Sequence, residues 1–356
     1  MTLLLSEDNI HQVFSDFRPA ELAANVTECI ERAFLEQHRE NVRLHRRIHI
    51  DFPQGRGYLD GTVIRILPGI LPGLGAAGFR AYADHHGNGR VLPAERDRQV
   101  IDYNLASELV ILYDYNDNMK LKAIMSAAFL NVPRTAAATS LSIRHLSRKD
   151  AKVLAFFGAG RHAYYHIRCV LNERPDLQEI RLYNRTPPRR DALANRLRAE
   201  VQQRIVTVDD PREAVFNSDI VVTCTNAGKP VFNGEWLAPG THITQVARDE
   251  IDATTVRRAR LFPVWKDQIL HDTPAMGPYG PLVASGELRE DNVTDLCDVI
   301  AGAAPGRQSE SEITVCASQG MGIWDVAIGQ YVYKLAKEKR VGVEFEFHPN
   351  VPGYAS

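Results

Sequence analysis

An apolar run followed at once by closely spaced glycines constrains the fold of this chain more than any other feature. Residues 153–157 read VLAFF, which has the length and composition of a strand buried on both faces of a parallel sheet. Gly158 to Ala163 read GAGRHA, and apolar side chains then recur at helical spacing up to Leu171. A strand, a glycine turn and a helix in this order predict a βαβ unit that binds a dinucleotide.

Each residue of the glycine turn suits a separate part of this task. Gly158 permits the tight turn, Gly160 lets the backbone approach a pyrophosphate, and Ala163 keeps the helix close to the sheet. Arg161 and His162 lie between them and are also expected to contact the cofactor. The alternative interpretation is an ordinary glycine-rich turn without a ligand.

The alternation of short apolar runs and helical patterns extends over residues 151–265. Further strands are predicted at 180–183, 205–208, 219–224, 242–246 and 260–265. This order is typical of right-handed βαβ units in a mostly parallel, doubly wound sheet. The two chain ends differ, with predicted helices at 20–40 and 323–339 and a glycine-rich loop at 68–78. We therefore predict an α/β fold in which a Rossmann-type domain (134–319) is inserted into a second domain built from 1–133 and 320–356.

The residues after the second predicted strand distinguish NADP from NAD. An NAD site usually ends this strand with Asp or Glu, which accepts hydrogen bonds from the ribose. Here the strand ends in Tyr183 and Asn184, followed by Arg185, Thr186 and, further on, Arg189. A guanidinium suits a 2′-phosphate in geometry and charge, and Thr186 can donate to it. The sequence therefore favours NADP(H) and leaves NAD(H) open; the alternative is that Arg185 merely faces solvent.

Composition argues against several other classes of function. The net charge of −2 provides no basic field for nucleic acid. No apolar stretch approaches the ~18 residues of a membrane span, and the first residues do not read as a signal peptide. The five cysteines are scattered and form no CxxC pair, which favours reduced thiols in the cytoplasm. We predict no metal site.

Four segments resemble the ornithine cyclodeaminase and mu-crystallin family. They are 133–140 (PRTAAATS), the glycine turn together with 183–187 (YNRTP), 224–231 (CTNAGKPV) and 318–325 (SQGMGIWD). Their order and spacing agree with the family over nearly the whole chain. The resemblance implies a Rossmann domain combined with an α+β substrate-binding and dimerisation domain made from both chain ends. It also implies hydride transfer between nicotinamide and the α-carbon of an amino acid, and a homodimer.

The resemblance assigns substrate-binding and catalytic roles to individual residues. Arg134 is expected to hold a substrate carboxylate beside the cofactor, and Arg47, or else Arg46, to be a second substrate-binding arginine. Arg80 stands where the family has a catalytic lysine. Because arginine stays charged, it can anchor a carboxylate but cannot transfer a proton near neutral pH. Proton transfer would then come from elsewhere, such as His85, His86 or water.

Asp249 matches the family aspartate that contacts the substrate amino group and accepts a proton. The family segment that follows it is missing here, and Glu250 comes directly after it. The alternative is that Asp249 caps a helix beginning near Ala253. The remaining residues that the resemblance places near the cofactor or substrate are Asn118, Thr135, Asn184, Cys224, Thr225, Asn226, Val246, Ser318 and Gln319, the last of these in contact with substrate.

The leading hypothesis is an NADP(H)-dependent reductase of a small imino acid, or the reverse amino acid dehydrogenase. A cyclodeaminase recycles its bound nicotinamide, so a preference for NADP and the change of lysine to Arg80 both favour net redox chemistry. A cyclodeaminase and a non-catalytic NADPH-dependent binding protein remain the alternatives.

Overall fold

The computed structural model describes residues 1–51, 62–85, 108–271 and 277–347. The chain divides into two compact units, and helices and strands are numbered along the chain. The first unit comprises Met1–Phe17, Arg39–Asn131 and Met321–Ser356; the second comprises Arg18–His38 and Val132–Gly320. In the described residues no helix is both long and apolar enough to cross a membrane.

The first unit is a mixed sheet covered by helices. Its elements are β1 (Thr2–Leu5), α1 (Glu7–Val13), β2 (Arg43–Leu44), β3 (Ile48–Asp51), β4 (Thr62–Leu71), β5 (Ala76–His85), β6 (Glu108–Asp114), β7 (Lys120–Ser126), α11 (Gly322–Lys339) and β15 (Val343–Phe345). The strand order is β15-β1-β7-β6-β5-β4-β2, with β3 also paired to β4. Only β1 and β7 run parallel; the other described pairs are antiparallel.

The prediction of a glycine-rich loop at 68–78 is wrong. These residues belong to strands β4 and β5, which are joined by a short 3-10 turn at Pro72–Leu74. The glycines allow neighbouring backbone segments to pack closely. A Cβ at Gly69 would lie 2.7 Å from the backbone nitrogen of Ile323, so only glycine lets the start of α11 approach β4 this closely.

The second unit is an α/β sandwich. Its elements are α2 (Pro19–His38), α3 (Asn131–Leu146), β8 (Val153–Phe157), α4 (Ala163–Glu173), β9 (Glu179–Tyr183), α5 (Pro187–Arg198), β10 (Arg204–Val208), α6 (Pro211–Val215), β11 (Ile220–Thr223), β12 (His242–Gln245), α7 (Ala253–Arg258), β13 (Ala259–Leu261), α8 (Lys266–His271), α9 (Tyr279–Ala284), α10 (Leu296–Ile300) and β14 (Ile313–Ala317). All described strand pairs are parallel, in the order β10-β9-β8-β11-β12-β14-β13.

Successive residues of β8 pack on opposite faces of this sheet. Leu154 and Phe156 join the core beneath α4 and α5, whereas Ala155 and Phe157 join the core beneath α6 to α9. Burial on both faces explains why the strand is apolar at every position. The fold is therefore the predicted doubly wound α/β fold of the Rossmann type.

Two features of this unit differ from the sequence analysis. Helix α2 was placed with the chain ends, but its buried face packs on α4 and α10 within the second unit. Gln37 at its end donates to the carbonyl of Val264 at 3.0 Å. Strand β14 was not predicted at all, although it lies between β12 and β13.

Candidate functional site

The glycine turn lies at the carboxyl end of β8. Gly158 has a φ of +115°, and its N–H donates to the carbonyl of Tyr183 at 2.9 Å. A Cβ at Gly158 would overlap the carbonyl oxygen of Cys224, so this position requires glycine for packing and for conformation. At Gly160, by contrast, a Cβ would meet no atom of the described residues within 4 Å, apart from those of its chain neighbours. The backbone at Gly160 is therefore open on the side where a side chain would stand.

Helix α4 begins directly after this turn. Ala163 is buried and its N–H donates to the carbonyl of Gly160 at 3.1 Å. No side chain caps the helix at His162. A helix N-terminus without a side-chain cap can use its N–H groups and dipole to bind an anion. Arg161 and His162 are half-buried on either side of this point.

The end of β9 carries an amide where NAD sites carry a carboxylate. Asn184 accepts from the N–H of Ala159 at 3.2 Å and donates to the carbonyl of Thr186 at 2.9 Å, so it joins the glycine turn to the start of α5. Arg185, Thr186 and Arg189 are exposed. The described part of the structure gives neither arginine side chain a hydrogen bond or ion pair.

Arg190 has a different environment from these two arginines. It is buried and donates to the carbonyl of Val208 at 2.7 Å and to Asp209 at 2.6 Å. Its guanidinium therefore joins α5 to the end of β10. Of the three arginines in residues 185–190, Arg185 and Arg189 are therefore the exposed ones.

Arg134 lies in the first turn of α3 and is 3% exposed. A Cβ at Gly320 would come within 2.9 Å of its Nη1, and Gly320 itself has a φ of +73°. Burial, and then the charge of Arg134, lower the pKa of His166 to about 3. His166 belongs to α4, so the arginine lies beside the helix that the glycine turn opens. The neighbouring Thr135 is also buried.

Glu250 is a residue that the sequence analysis did not single out. It is fully buried, and its carboxylate accepts from the N–H of Thr225, from the N–H of Ala247 at 2.8 Å and from the hydroxyl of Thr223 at 2.9 Å. Burial raises its pKa to about 7, and these hydrogen bonds oppose that rise. The signal in the sequence was a glutamate four residues after the predicted strand at 242–246.

Other predicted residues lie near the ends of β11, β12 and β14. Cys224 and Thr225 follow β11, and Val246 follows β12, donating to the carbonyl of Thr223 at 3.0 Å. Ser318 follows β14 and is buried, Gln319 beside it is half-buried, and Asn226 is exposed. These strand ends share the edge of the sheet that carries the glycine turn, where ligands bind in open α/β sheets.

Asp249 is not the helix cap that the alternative interpretation required. Asp252 caps α7 by accepting from the N–H of Thr255 at 2.7 Å. Asp249 has a φ of +63° and lies against Gly277: a Cβ on that glycine would be 2.7 Å from its Oδ1. Asp, like Asn, tolerates this conformation, so the φ alone does not assign a function to Asp249.

In the first unit, Arg80 forms a buried ion pair. Its Nη2 donates to Glu108 at 2.6 Å, both side chains are about 5% exposed, and the guanidinium lies 4.3 Å from the ring centre of Tyr82. Burial opposes its charge, but Asp325 and Glu108 raise its pKa above the usual value. Arg80 therefore stays charged and already contacts a carboxylate of the protein.

Three further predicted positions lie in this unit. Arg46 and Arg47 are half-buried between β2 and β3. Asn118 is exposed in the turn between β6 and β7 with a φ of +48°, a conformation that Asn tolerates well, so turn geometry accounts for it. His86 and the side chain of His85 lie outside the described residues.

The parallel sheet, the glycine turn and the strand ends around it define a Rossmann-type α/β protein. The chain belongs to the ornithine cyclodeaminase/mu-crystallin family, whose model matches residues 10–340.

Proteins of similar sequence cover most of the chain. It is 30% identical over 350 residues to an uncharacterized cyclodeaminase of Sinorhizobium fredii, covering 96% of this chain and 98% of the relative. It is 27% identical to the alanine dehydrogenase of Archaeoglobus fulgidus over 97% of this chain and 98% of that protein. It is 32% identical to the iminosuccinate reductase of Paracoccus denitrificans over 67% of this chain and 73% of that protein.

Solved structures agree with the fold along the whole chain. An archaeal alanine dehydrogenase dimer with bound NAD superposes with a TM-score of 0.82 at 25% identity, covering 98% of this chain and 99% of that one. The Thermococcus litoralis Δ1-pyrroline-2-carboxylate reductase, in complex with NADH and L-proline, superposes with a TM-score of 0.80 at 26% identity, covering 97% and 100%.

Proposed function

We propose that this protein is an NADP(H)-dependent oxidoreductase that acts on the C–N bond of a small amino or imino acid. The observation that carries the proposal is the open glycine turn at Gly160, which Asn184 joins to the chain segment that holds the exposed Arg185 and Arg189. Three relatives support the reaction class, since their names are alanine dehydrogenase, iminosuccinate reductase and Δ1-pyrroline-2-carboxylate reductase. Reduction of an imine and the reverse oxidation of an amine are one reaction in two directions.

The glycine turn fits a dinucleotide pyrophosphate. Among the described residues, none apart from its chain neighbours lies within 4 Å of a Cβ placed on Gly160, and α4 begins soon after without a side-chain cap. Bound there, the cofactor would supply or receive a hydride at its nicotinamide ring. Arg161, His162 and the strand-end residues Cys224, Thr225, Asn226, Val246 and Ser318 are proposed to line the cofactor site.

The preference for NADP is a proposal about Arg185, Thr186 and Arg189. NAD and NADH are bound in the two solved relatives, so those structures do not support a preference for the phosphate. In this chain the carboxylate that would repel a 2′-phosphate is replaced by Asn184, and the exposed guanidinium groups of Arg185 and Arg189, which follow it in sequence, have no described partner. An exposed arginine that gains a bidentate phosphate contact has little burial cost to overcome.

We propose that Arg134 binds the substrate carboxylate. Its charge is buried beside α4, and a bidentate guanidinium would fix the α-carbon for hydride transfer. Asp249 is proposed to contact the substrate nitrogen, where a carboxylate stabilises an iminium or ammonium charge. Arg80, Arg47 and Gln319 remain candidates; because Glu108 already pairs with Arg80, we propose that Arg80 acts as a fixed charge and transfers no proton.

The chain-end domain is proposed to bind substrate and to form a homodimer. Apolar side chains are exposed on strands β3, β4 and β6 of its sheet: Ile50 is 54% exposed, Ile64 44% and Leu109 39%. Burying such side chains against a second copy would be favourable by ~25 cal/mol per Å².

Oxidation of NADPH, followed at 340 nm, tests the reaction. We expect turnover with at least one of pyrroline-2-carboxylate, piperideine-2-carboxylate or an α-keto acid with an amine. If none of these substrates is consumed and ornithine is converted to proline and ammonia, the protein is a cyclodeaminase instead. Tight NADPH binding without any turnover would favour a binding protein.

The double variant R185A/R189A tests the cofactor preference. We expect its Kd for NADPH to rise at least tenfold, while its Kd for NADH changes less than threefold, because only NADPH carries the 2′-phosphate. The variant R198A is the control for loss of positive charge on α5, because Arg198 is an exposed residue of the same helix that donates to the carbonyl of Ile205. Equal losses for both dinucleotides in R185A/R189A would refute the assignment.

A further inference from the structure

We propose that Glu250 is a positioning residue that holds two strand-end segments of the cofactor site, Cys224–Thr225 and Val246–Ala247, in one arrangement. The inference deepens the proposed function and rests on it. The observation behind it is that one buried carboxylate accepts the backbone N–H groups of Thr225 and Ala247, which belong to different segments.

The geometry divides the three hydrogen bonds between the two carboxylate oxygens. Oε1 accepts from the N–H of Thr225. Oε2 accepts from the N–H of Ala247 at 2.8 Å and from the hydroxyl of Thr223 at 2.9 Å. Each oxygen therefore holds one backbone segment, and the side chain joins the end of β11 to the end of β12.

The first of these segments reaches the glycine turn itself. The N–H of Cys224 donates to the carbonyl of Phe157 at 2.9 Å, and the carbonyl of Cys224 occupies the space where a Cβ on Gly158 would be. A shift of Thr225 would therefore displace the backbone that packs on Gly158. This connects a carboxylate that faces the protein interior with the turn proposed to bind the pyrophosphate.

The two N–H groups face inward to Glu250, so they are used within the protein. Glu250 acts on the cofactor only through the backbone that it holds. A buried N–H that loses its hydrogen bond is destabilising, so release of either segment would disturb the local backbone and also lower the overall stability.

Replacement of Glu250 by glutamine gives a sharp test because an amide cannot satisfy both segments. The NH₂ group must take the place of Oε1 or Oε2, and in either orientation it faces a backbone N–H. A backbone N–H cannot become an acceptor, so E250Q must lose the bond to Thr225 or to Ala247. If Glu250 contributed only to general stability, E250Q would melt at a lower temperature without a specific loss of affinity for the cofactor.

Asp252 offers a matched control two residues away. Its carboxylate also accepts two backbone N–H groups, from Gly234 at 2.9 Å and from Thr255 at 2.7 Å, but these belong to the cap of α7 and the short turn beside it. D252N makes the same chemical change without touching the ends of β11 and β12. Both variants are expected to melt at a lower temperature than wild type.

The experiment measures the Kd for NADPH by fluorescence titration, together with thermal melting, for full-length wild type, E250Q, E250D and D252N. We expect the Kd to rise at least tenfold in E250Q and to stay within twofold in D252N. E250D keeps the charge but is one methylene too short to reach both segments, so at least a threefold rise is expected. This variant carries the test if E250Q does not fold.

Wild-type affinity in E250Q or, where that variant fails to fold, in E250D overturns the positioning role while leaving the proposed function intact. Equal loss of affinity in D252N also overturns it, because the effect would then follow stability alone. Wild-type protein that binds neither NADPH nor NADH overturns the proposed function and this inference together.

Discussion

Gly160→Ala separates the packing role of the glycine turn from its proposed binding role. In the part of the chain that the structure describes, no atom beyond the two chain neighbours lies within 4 Å of the new methyl group, and Gly160 does not have a left-handed φ. Alanine should therefore fit the unliganded fold, and by restricting the unfolded chain it should stabilise the protein by about 0.4–1 kcal/mol. The same methyl group would stand where the backbone is proposed to approach a pyrophosphate.

We expect G160A to melt at or slightly above the wild-type temperature and to bind NADPH at least tenfold more weakly, a loss of about 1.4 kcal/mol. Gly158→Ala is the contrasting variant. Its methyl group would overlap the carbonyl of Cys224, and its φ of +115° is strained for alanine by about 1–3 kcal/mol. G158A should therefore lose thermal stability before any ligand is added.

Differential scanning fluorimetry without ligand and a fluorescence titration with NADPH measure the two effects separately. If G160A bound NADPH with wild-type affinity, no phosphate would approach this backbone and the reasoning would be refuted. A large fall in the melting temperature of ligand-free G160A would contradict the open geometry of the turn.

Three further predictions concern stability. Burial and then the charge of Arg307 lower the pKa of His242 to about 3, against about 6.5 in the unfolded chain. The fold therefore favours the neutral imidazole, and the stability that His242 contributes is lost as the pH falls below 6.5 and the unfolded chain takes up a proton. The destabilisation of H242Q relative to wild type should therefore shrink by about 2 kcal/mol between pH 6.5 and pH 5 in urea titrations. Gly322→Ala would overlap the carbonyl of Pro68 and should cost about 1–3 kcal/mol, whereas an unchanged urea midpoint would show that β4 can move away. Arg174 is buried and donates to the carbonyls of residues 148, 149 and 151, and the single ammonium group of a lysine cannot reach all three. R174K should therefore lower the free energy of unfolding by ~2 kcal/mol or more, and a loss below ~0.5 kcal/mol would contradict this.

Periodicity predicted the Rossmann unit well because its strands are buried on both faces. The strand at 153–157 has the predicted bounds, and β9 to β12 differ from prediction by one or two residues at their ends. Ile313–Ala317 was missed although it is equally buried. Thr314 is tolerated there because its hydroxyl accepts from Arg307 at 3.1 Å and bonds His242 at 2.9 Å, contacts that no local pattern reveals.

The chain ends were harder to predict because glycine occurs both in loops and in strands where a neighbouring backbone packs closely. Gly69 and Gly78 suggested a loop, yet each lies in a long strand where the backbone of a neighbouring segment passes too close for a side chain. Glu250 was passed over for a related reason. Its value depends on two segments about 20 residues apart in sequence whose N–H groups converge on one carboxylate, and only the fold brings them together.

Transfer of deuterium from 4-deuterated NADPH to an imino acid tests the central claim most directly. With pyrroline-2-carboxylate or another imine that the enzyme consumes, we predict one deuterium at the α-carbon of the amino acid product, transferred from either the pro-R or the pro-S position at C4 of the cofactor and detected by mass spectrometry and NMR. An amino acid product without deuterium, formed in ordinary water from either stereoisomer of the labelled cofactor, would contradict it.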